Sequence, residues 1–455
     1  MTGKRRAAAA CLASLLLTCC AAPASSGAAS APLGKEPAEP RQEAFELPFE
    51  MICSPDLTSY GSGNAEGFYS VFPNEDDSRN ILYMDYATAS QVYLCAQPNC
   101  EHNSESCPSW IAPFGGTVTA AACEDELFLF YNGYGGGTRI ERADLNGENR
   151  RTLLTLPGNV QAQNAVAFNG EFLVFALHES DNADGVLTRT DRLVAADVNG
   201  GDLRTLFSLE EHLPEEEVES FWMNFMGVTD EGFLLQTWTL LKYDSAATGE
   251  QLIQNMEEAT RTAFYQVPFD GGSPEELLYL EQGECEAAAC GGALFCVVPQ
   301  PDGSLALKRM EKGAERTLCP DLRTLAPERD PADIGMADVV LRGSVGNKLL
   351  MNFLTRAYLA ENGNIEAVYS GFAVDMDTGE ITSLPLTNYY AATTVPVQVL
   401  DTHGPKLLVF AQIEQTVDPV KNMLSLRRRM GLIAPKDYLA GRAEYQMVQS
   451  LRDFV

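Results

Sequence analysis

The sequence predicts an all-β chain, a β-propeller of about seven four-stranded blades, with six or eight as the neighbouring counts. Three observations carry this. Helical periodicity over a dozen residues is nearly absent, while short apolar-alternating runs bounded by turn residues recur from residue 45 to the end. A punctuation unit also repeats. Asp144, with Asn146-Gly147, precedes Leu153, and Asp197, with Asn199-Gly200, precedes Leu206, both at a spacing of nine. Asp85 to Leu94 and Asp375 to Leu384 keep that nine, Pro268 to Leu277 keeps it with Pro in the Asp place, and a weaker copy ends at Gly313 and Leu318. Third, the strand runs fall into about seven sets of four, each of roughly 40 to 70 residues, the size of a propeller blade.

The physical reason is burial. A lone four-stranded sheet has two faces to cover; radial stacking covers both, and closing the ring protects the edges. Two β-sandwiches are the competing arrangement, but they give no reason for one turn unit to recur. The clearest blade element is 139–156, read as a hairpin whose Asn146-Gly147 turn takes φ > 0 at both central positions. Strand sets follow at 67–94, 118–156, 165–206, 221–280, 284–318, 337–384 and 395–451. Residues 250–261 are read either as one or two helical turns or as a long hairpin loop. The ring is expected to close through 45–53 added to the last blade or 445–451 added to the first.

The N-terminus has a basic start, Lys4-Arg5-Arg6, and a short apolar stretch, 7–17. That stretch falls short of the roughly 20 residues a membrane-spanning helix needs. Leu17-Thr18-Cys19-Cys20 follows, and it resembles a bacterial lipobox with Leu17 at the −3 position and Cys20 as the modified thiol. Cys19 departs from the small residue usual there. An ordinary signal peptide cut after Ala22 or Ala24 is the alternative. The resemblance implies residues 1–20 as a lipoprotein signal peptide, lipid attachment at Cys20, and a partner membrane at the outer face of the cell. Residues 21–44, rich in Ala, Ser and Pro, read as a flexible tether, and 45–455 as the propeller domain.

Composition bounds the function. The net charge is −31, from 63 acidic and 32 basic residues. Such a surface repels phosphate backbones, which argues against nucleic acid as a partner. With Cys11, Cys19 and Cys20 set aside, the remaining cysteines are odd in number, so they cannot all pair within the chain.

Tyr83-Met84-Asp85 with Leu94-Cys95, and Ala143-Asp144-Leu145-Asn146-Gly147, resemble the YWTD- and TolB-like propeller repeats, in which an Asp turn joins inner and outer strands. The insert at 95–107 further resembles a group of Gram-positive lipoproteins with such propellers. The resemblance implies a cell-surface propeller and no reaction.

Cys95, Cys100, His102 and Cys107 are the most distinctive chemistry. Three thiols and an imidazole can close a tetrahedral zinc site, and such a full ligand set is structural, not catalytic. A disulfide between two of these cysteines, with Cys53 or Cys123 as a further partner, is the rival reading. Oxygen side chains from Ser180 to Asp191 faintly copy a calcium loop, against a plain polar hairpin. Cys285, Cys290 and Cys296 read as small thiols in strands. His178, His212 and His403 read as isolated loop histidines. Arg427-Arg428-Arg429 reads as one exposed strand face, or as a contact for anionic wall polymer. No local catalytic motif is present, and no catalytic residue or organic cofactor is assigned. The expected function is a non-enzymatic propeller binding an extracellular protein or polysaccharide. A glycan-active hydrolase or lyase with its site in the central cleft, and a structural spacer, are the alternatives.

Overall fold

The computed structural model describes residues 45, 48–55, 60–183, 186–214, 216–311, 313–359, 365–417 and 424–454. Cys20, the leader and the tether lie outside them. Gln42–Val455 forms one compact unit.

Seven sheets follow one another along the chain, antiparallel except where Thr393–Pro396 joins Ile365–Asp375 in parallel. Their innermost strands, in order, are Ser62–Gly63, Gly116–Ala122, Val160–Phe168, Val218–Val228, Glu286–Cys290, Val339–Val345 and Val399–Asp401. Each is followed outward by three strands of its own blade. Blade 1 carries an added pair at Trp110–Ile111, and blade 6 an added hairpin at Thr387–Tyr390 and Thr393–Pro396. The region read as helix or loop in blade 4 is a helix, Glu250–Ala259.

One buried apolar cluster fills each of the seven joints between neighbouring blades. Strand alternation builds them. In Glu126–Gly133, Leu127, Leu129 and Tyr131 face blade 1, whereas Phe128 and Phe130 face blade 3. Both faces are dry, so the strand reads as a continuous apolar run, as a fully covered sheet must.

The joints also carry polar staples. The free edge of each innermost strand, and bulges along the blades, leave backbone groups outside the ladder, and a buried, unpaired amide or carbonyl is costly. Side chains of the neighbouring blade satisfy them. Gln163 donates to the Met223 carbonyl and accepts from the Phe225 amide, beside a bulge. Glu286 accepts from the Leu341 amide, again beside a bulge. Asn132 donates to the Ala162 carbonyl, and Asn388 to that of Phe410.

Two expectations need correction. Segment 45–53 does not join the last blade. Glu50–Cys53 pairs with the inner strand of blade 3 and touches the inner strands of blades 1, 2 and 4. Phe45 and Phe49 hold it there, packed edge-on against Phe233. Closure follows the other alternative: Gln449, within 445–451, bridges to Ser90 of blade 1, and Phe410 and Met430 of blade 7 pack with Phe68 and Met84. The Asn146-Gly147 turn is also wider than predicted. Gly147, but not Asn146, has positive φ, and the Gly147 amide closes on the Asp144 carbonyl. Asn149 takes a second left-handed position, because Asp144 holds its side chain.

Candidate metal centre and axial cavity

The insert hangs between the outermost strand of blade 1 and Trp110–Ile111. Two left-handed residues, Asn99 and His102, turn the chain back on itself. Asn80 donates to the His102 carbonyl and Tyr93 stacks on the imidazole at 4.2 Å, which fixes the ring. Arg150 of blade 2 donates to the carbonyls of Pro108 and Trp110 and pins the other end.

The result is convergence. The ligand atoms of Cys95, Cys100, His102 and Cys107 all lie within 4.8 Å of one another. His102 Nδ1 is 3.3 Å from Cys107 Sγ. With Zn–S near 2.3 Å, tetrahedral ligands stand roughly 3.5–4 Å apart, so this donor set fits zinc in type, number and spread. Cys107 is buried, and burial pushes its thiol up to about 12. The His102 amide hydrogen-bonds Cys100 and holds that thiol below its ordinary value. No disulfide joins any of the nine described cysteines. Cys53 and Cys123, the suggested extra partners, sit in the apolar joint between blades 2 and 3. Cys285 and Cys296 are buried beside or within strands of blade 5, as expected.

On the axis, the Glu50–Cys53 strand covers the inner side of blade 3 and leaves an open cavity of about 580 Å³ against blades 4 to 7. Its wall includes Met226, Ala289, Arg342, Asn352, Asn388 and Tyr390, with Asp401 and His403 and, from the outer part of blade 7, Arg428. That volume lies within the usual range for small-ligand sites, ~300–1,000 Å³.

Three histidines read as isolated are not. His403 Nδ1 lies 2.8 Å from Asp401 Oδ1, and Tyr86 donates to Asp401 Oδ2 at 2.5 Å. The Asp401 hydrogen bond holds His403 above its ordinary pKa. Asp401 thereby ties blade 7 to blade 1 and aims an imidazole at the cavity. His178 Nδ1 lies 2.6 Å from the fully buried Asp191. Asp191 also accepts from Arg189 and from the Met223 amide. Its carboxylate is therefore spent on the joint between blades 3 and 4, which removes it from the calcium reading; Asp184 and Gly185 lie outside the described residues. His212 stacks on Phe207.

The arginine run is the second correction at this site. Consecutive strand residues point to opposite faces. Arg427 and Arg429 turn to Glu414, and Arg427 also to Asp453, while Arg428 lines the cavity. Only alternation on Leu424–Ile433, which the sequence does show, was needed to separate them.

No family model and no curated protein matches this chain. Several solved structures are similar to it at low identity. A puromycin hydrolase matches at 12% identity and TM-score 0.45, over 91% of this chain and 57% of that one. An ulvan lyase from a new polysaccharide lyase family matches at 10% and 0.41, over 86% and 95%. TolB from Acinetobacter baumannii matches at 10% and 0.30, over 85% and 79%. This chain thus spans little more than half the length of the puromycin hydrolase. At these identities and TM-scores the likeness assigns no role to this chain.

Proposed function

We propose that this chain is a binding propeller, held at the outer face of the cell membrane by a lipid on Cys20, that takes an extracellular protein or polysaccharide at its axial cavity. The observation that supports it most is the asymmetric channel. The Glu50–Cys53 strand fills one side and leaves the other as a walled cavity with hydrogen-bonding side chains turned inward. The insert is read as a structural zinc centre that pins the joint between blades 1 and 2. A Cys₃His set is coordinatively full, so it supplies rigidity and no open position for a reacting group.

The test is capture from cell envelope with Gln42–Val455 as bait. A variant with Tyr390→Ala and Asn352→Ala narrows the contact to the cavity. Capture by the parent that drops with this variant supports the reading. Capture of nothing, or equal capture by both, removes it. Release of the full chain from membranes by Cys20→Ala tests the anchor separately.

A further inference from the structure

The chain is strongly acidic, yet two guanidinium groups in the cavity have no partner among the described residues. Among the described residues, neither the Arg342 nor the Arg428 side chain makes an ion pair or a hydrogen bond. The contrast is with the other arginines. Those flanking Arg428 turn to Glu414, and Arg309, Arg323 and Arg329 all find carboxylates. Arg151 and Arg316 also lack partners among the described residues, but they lie on outermost strands outside the cavity wall; Arg342 is exposed as they are, and its place in that wall is what sets it apart. Arg342 and Arg428 alone combine an empty guanidinium with a place in the cavity wall.

The backbone is shaped to present Arg342. Pairing between the first two strands of blade 6 skips from Leu341 to Ser344, so Arg342 and Gly343 form a bulge on the inner strand. Gly343 takes φ +71° there. Bulges re-aim side chains next to functional sites, and Arg342 of this one lies in the cavity wall. Two further donors on the same wall are unengaged among the described residues, the Asn352 amide and the Tyr390 hydroxyl. Of the opposing groups, Asp401 is occupied by Tyr86 and His403, which leaves the Glu50 carboxylate against two guanidiniums.

We infer that the axial cavity binds its ligand through an oxyanion, a carboxylate or a phosphate, held by Arg342 and Arg428. This rests on the cavity-binding reading above and names the chemistry it recognises. A planar guanidinium presents a fork of donors that matches both oxyanions, and charge-assisted bonds of this kind are the strong ones. The net charge of −31 opposes anion binding in general, so an anion that binds here must be held by these local guanidiniums.

The experiment is calorimetric titration of Gln42–Val455 with inorganic phosphate, with D-glucuronate, and with D-glucose as the neutral control. Arg342→Gln, Arg428→Gln and the outer-strand control Arg316→Gln are compared. The expected result is binding of at least one anion, weakened about tenfold or more by each cavity variant and unchanged in the control. Phosphate alone, or glucuronate alone, identifies which oxyanion the site takes. Should Arg342→Gln lower the melting temperature, Arg342→Lys keeps the charge and is expected to retain part of the affinity. No binding of either anion, or equal binding by the cavity variants and the control, overturns the inference. Envelope capture that survives in the Arg342→Gln, Arg428→Gln double variant would leave the binding reading standing while the anion falls.

Discussion

Gly201 of blade 3 lies directly on Leu153 of blade 2: a Cβ on Gly201 would stand 2.7 Å from the Leu153 carbonyl oxygen. The same contact recurs around the ring. A Cβ on Gly379 of blade 6 would stand 2.5 Å from the Leu318 carbonyl of blade 5, and Gly147 of blade 2 abuts Leu94 of blade 1. In these three copies the Asp-to-Leu unit is therefore a joint between consecutive blades. The Asp caps its own turn, as Asp375 does by accepting from the Thr378 amide and hydroxyl. The turn glycine then rests on the repeat leucine of the blade before it.

Gly201→Ala and Gly379→Ala are expected to cost about 2 kcal/mol or more each, because both have positive φ and both would drive a methyl into backbone. Gly313 has positive φ with open space around it, so Gly313→Ala is expected to cost only about 1 kcal/mol. Urea unfolding of the three variants measures the difference, and equal costs would remove the joint.

The insert is expected to hold one zinc ion per chain. Metal analysis of reduced protein reads it directly. A thiol titration then shows the Cys95, Cys100 and Cys107 sulfurs reacting only after a strong chelator is added. Chelation or Cys107→Ser is expected to lower the melting temperature. Absence of metal together with a bridged pair of these thiols would favour the disulfide instead.

Gln163→Leu removes one side chain that serves two backbone groups across a joint and also contacts His178. The Met223 carbonyl and the Phe225 amide are left without their side-chain bond. A buried group left unsatisfied costs ~1–3 kcal/mol, so a loss of about 2 kcal/mol or more is expected in denaturant unfolding. A change within a few tenths of a kcal/mol would show that water replaces the side chain.

His403 faces Asp401, Glu50 and the Tyr86 hydroxyl that shares Asp401. Its folded pKa is raised, so the stability it contributes is fully present below the unfolded value, ~6.5, and is lost as pH rises through the folded value. The stability difference between the parent and His403→Gln is thus expected to be largest in mild acid and to shrink above neutrality. NMR titration is expected to place the imidazole above ~6.5 in the parent and lower in Asp401→Asn. An unmoved titration in that variant would contradict the pairing.

Much of this was legible because it is local. The unbroken apolar run from Leu127 to Tyr131 marks that strand as covered on both faces, and the period-two direction of strand side chains separates Arg428 from Arg427 and Arg429. The Asp turns and the Cys95–Cys107 spacing are likewise written within a dozen residues. The histidine pairings were not: Asp191 lies 13 residues from His178, and Tyr86 lies 315 from Asp401. No spacing rule links residues brought together by strand register or by closing a ring.

The chain alone therefore determined its strands, their grouping into blades and a clustered set of metal-type donors, since turn chemistry and alternating burial act between near neighbours. Only the tertiary structure decided that Glu50–Cys53 enters the axis, and hence which inner strands keep an open wall. An edge strand pairs wherever backbone donors and a dry apolar seat are both offered, and the seat beside Phe233 exists only once blades 3 and 4 have packed.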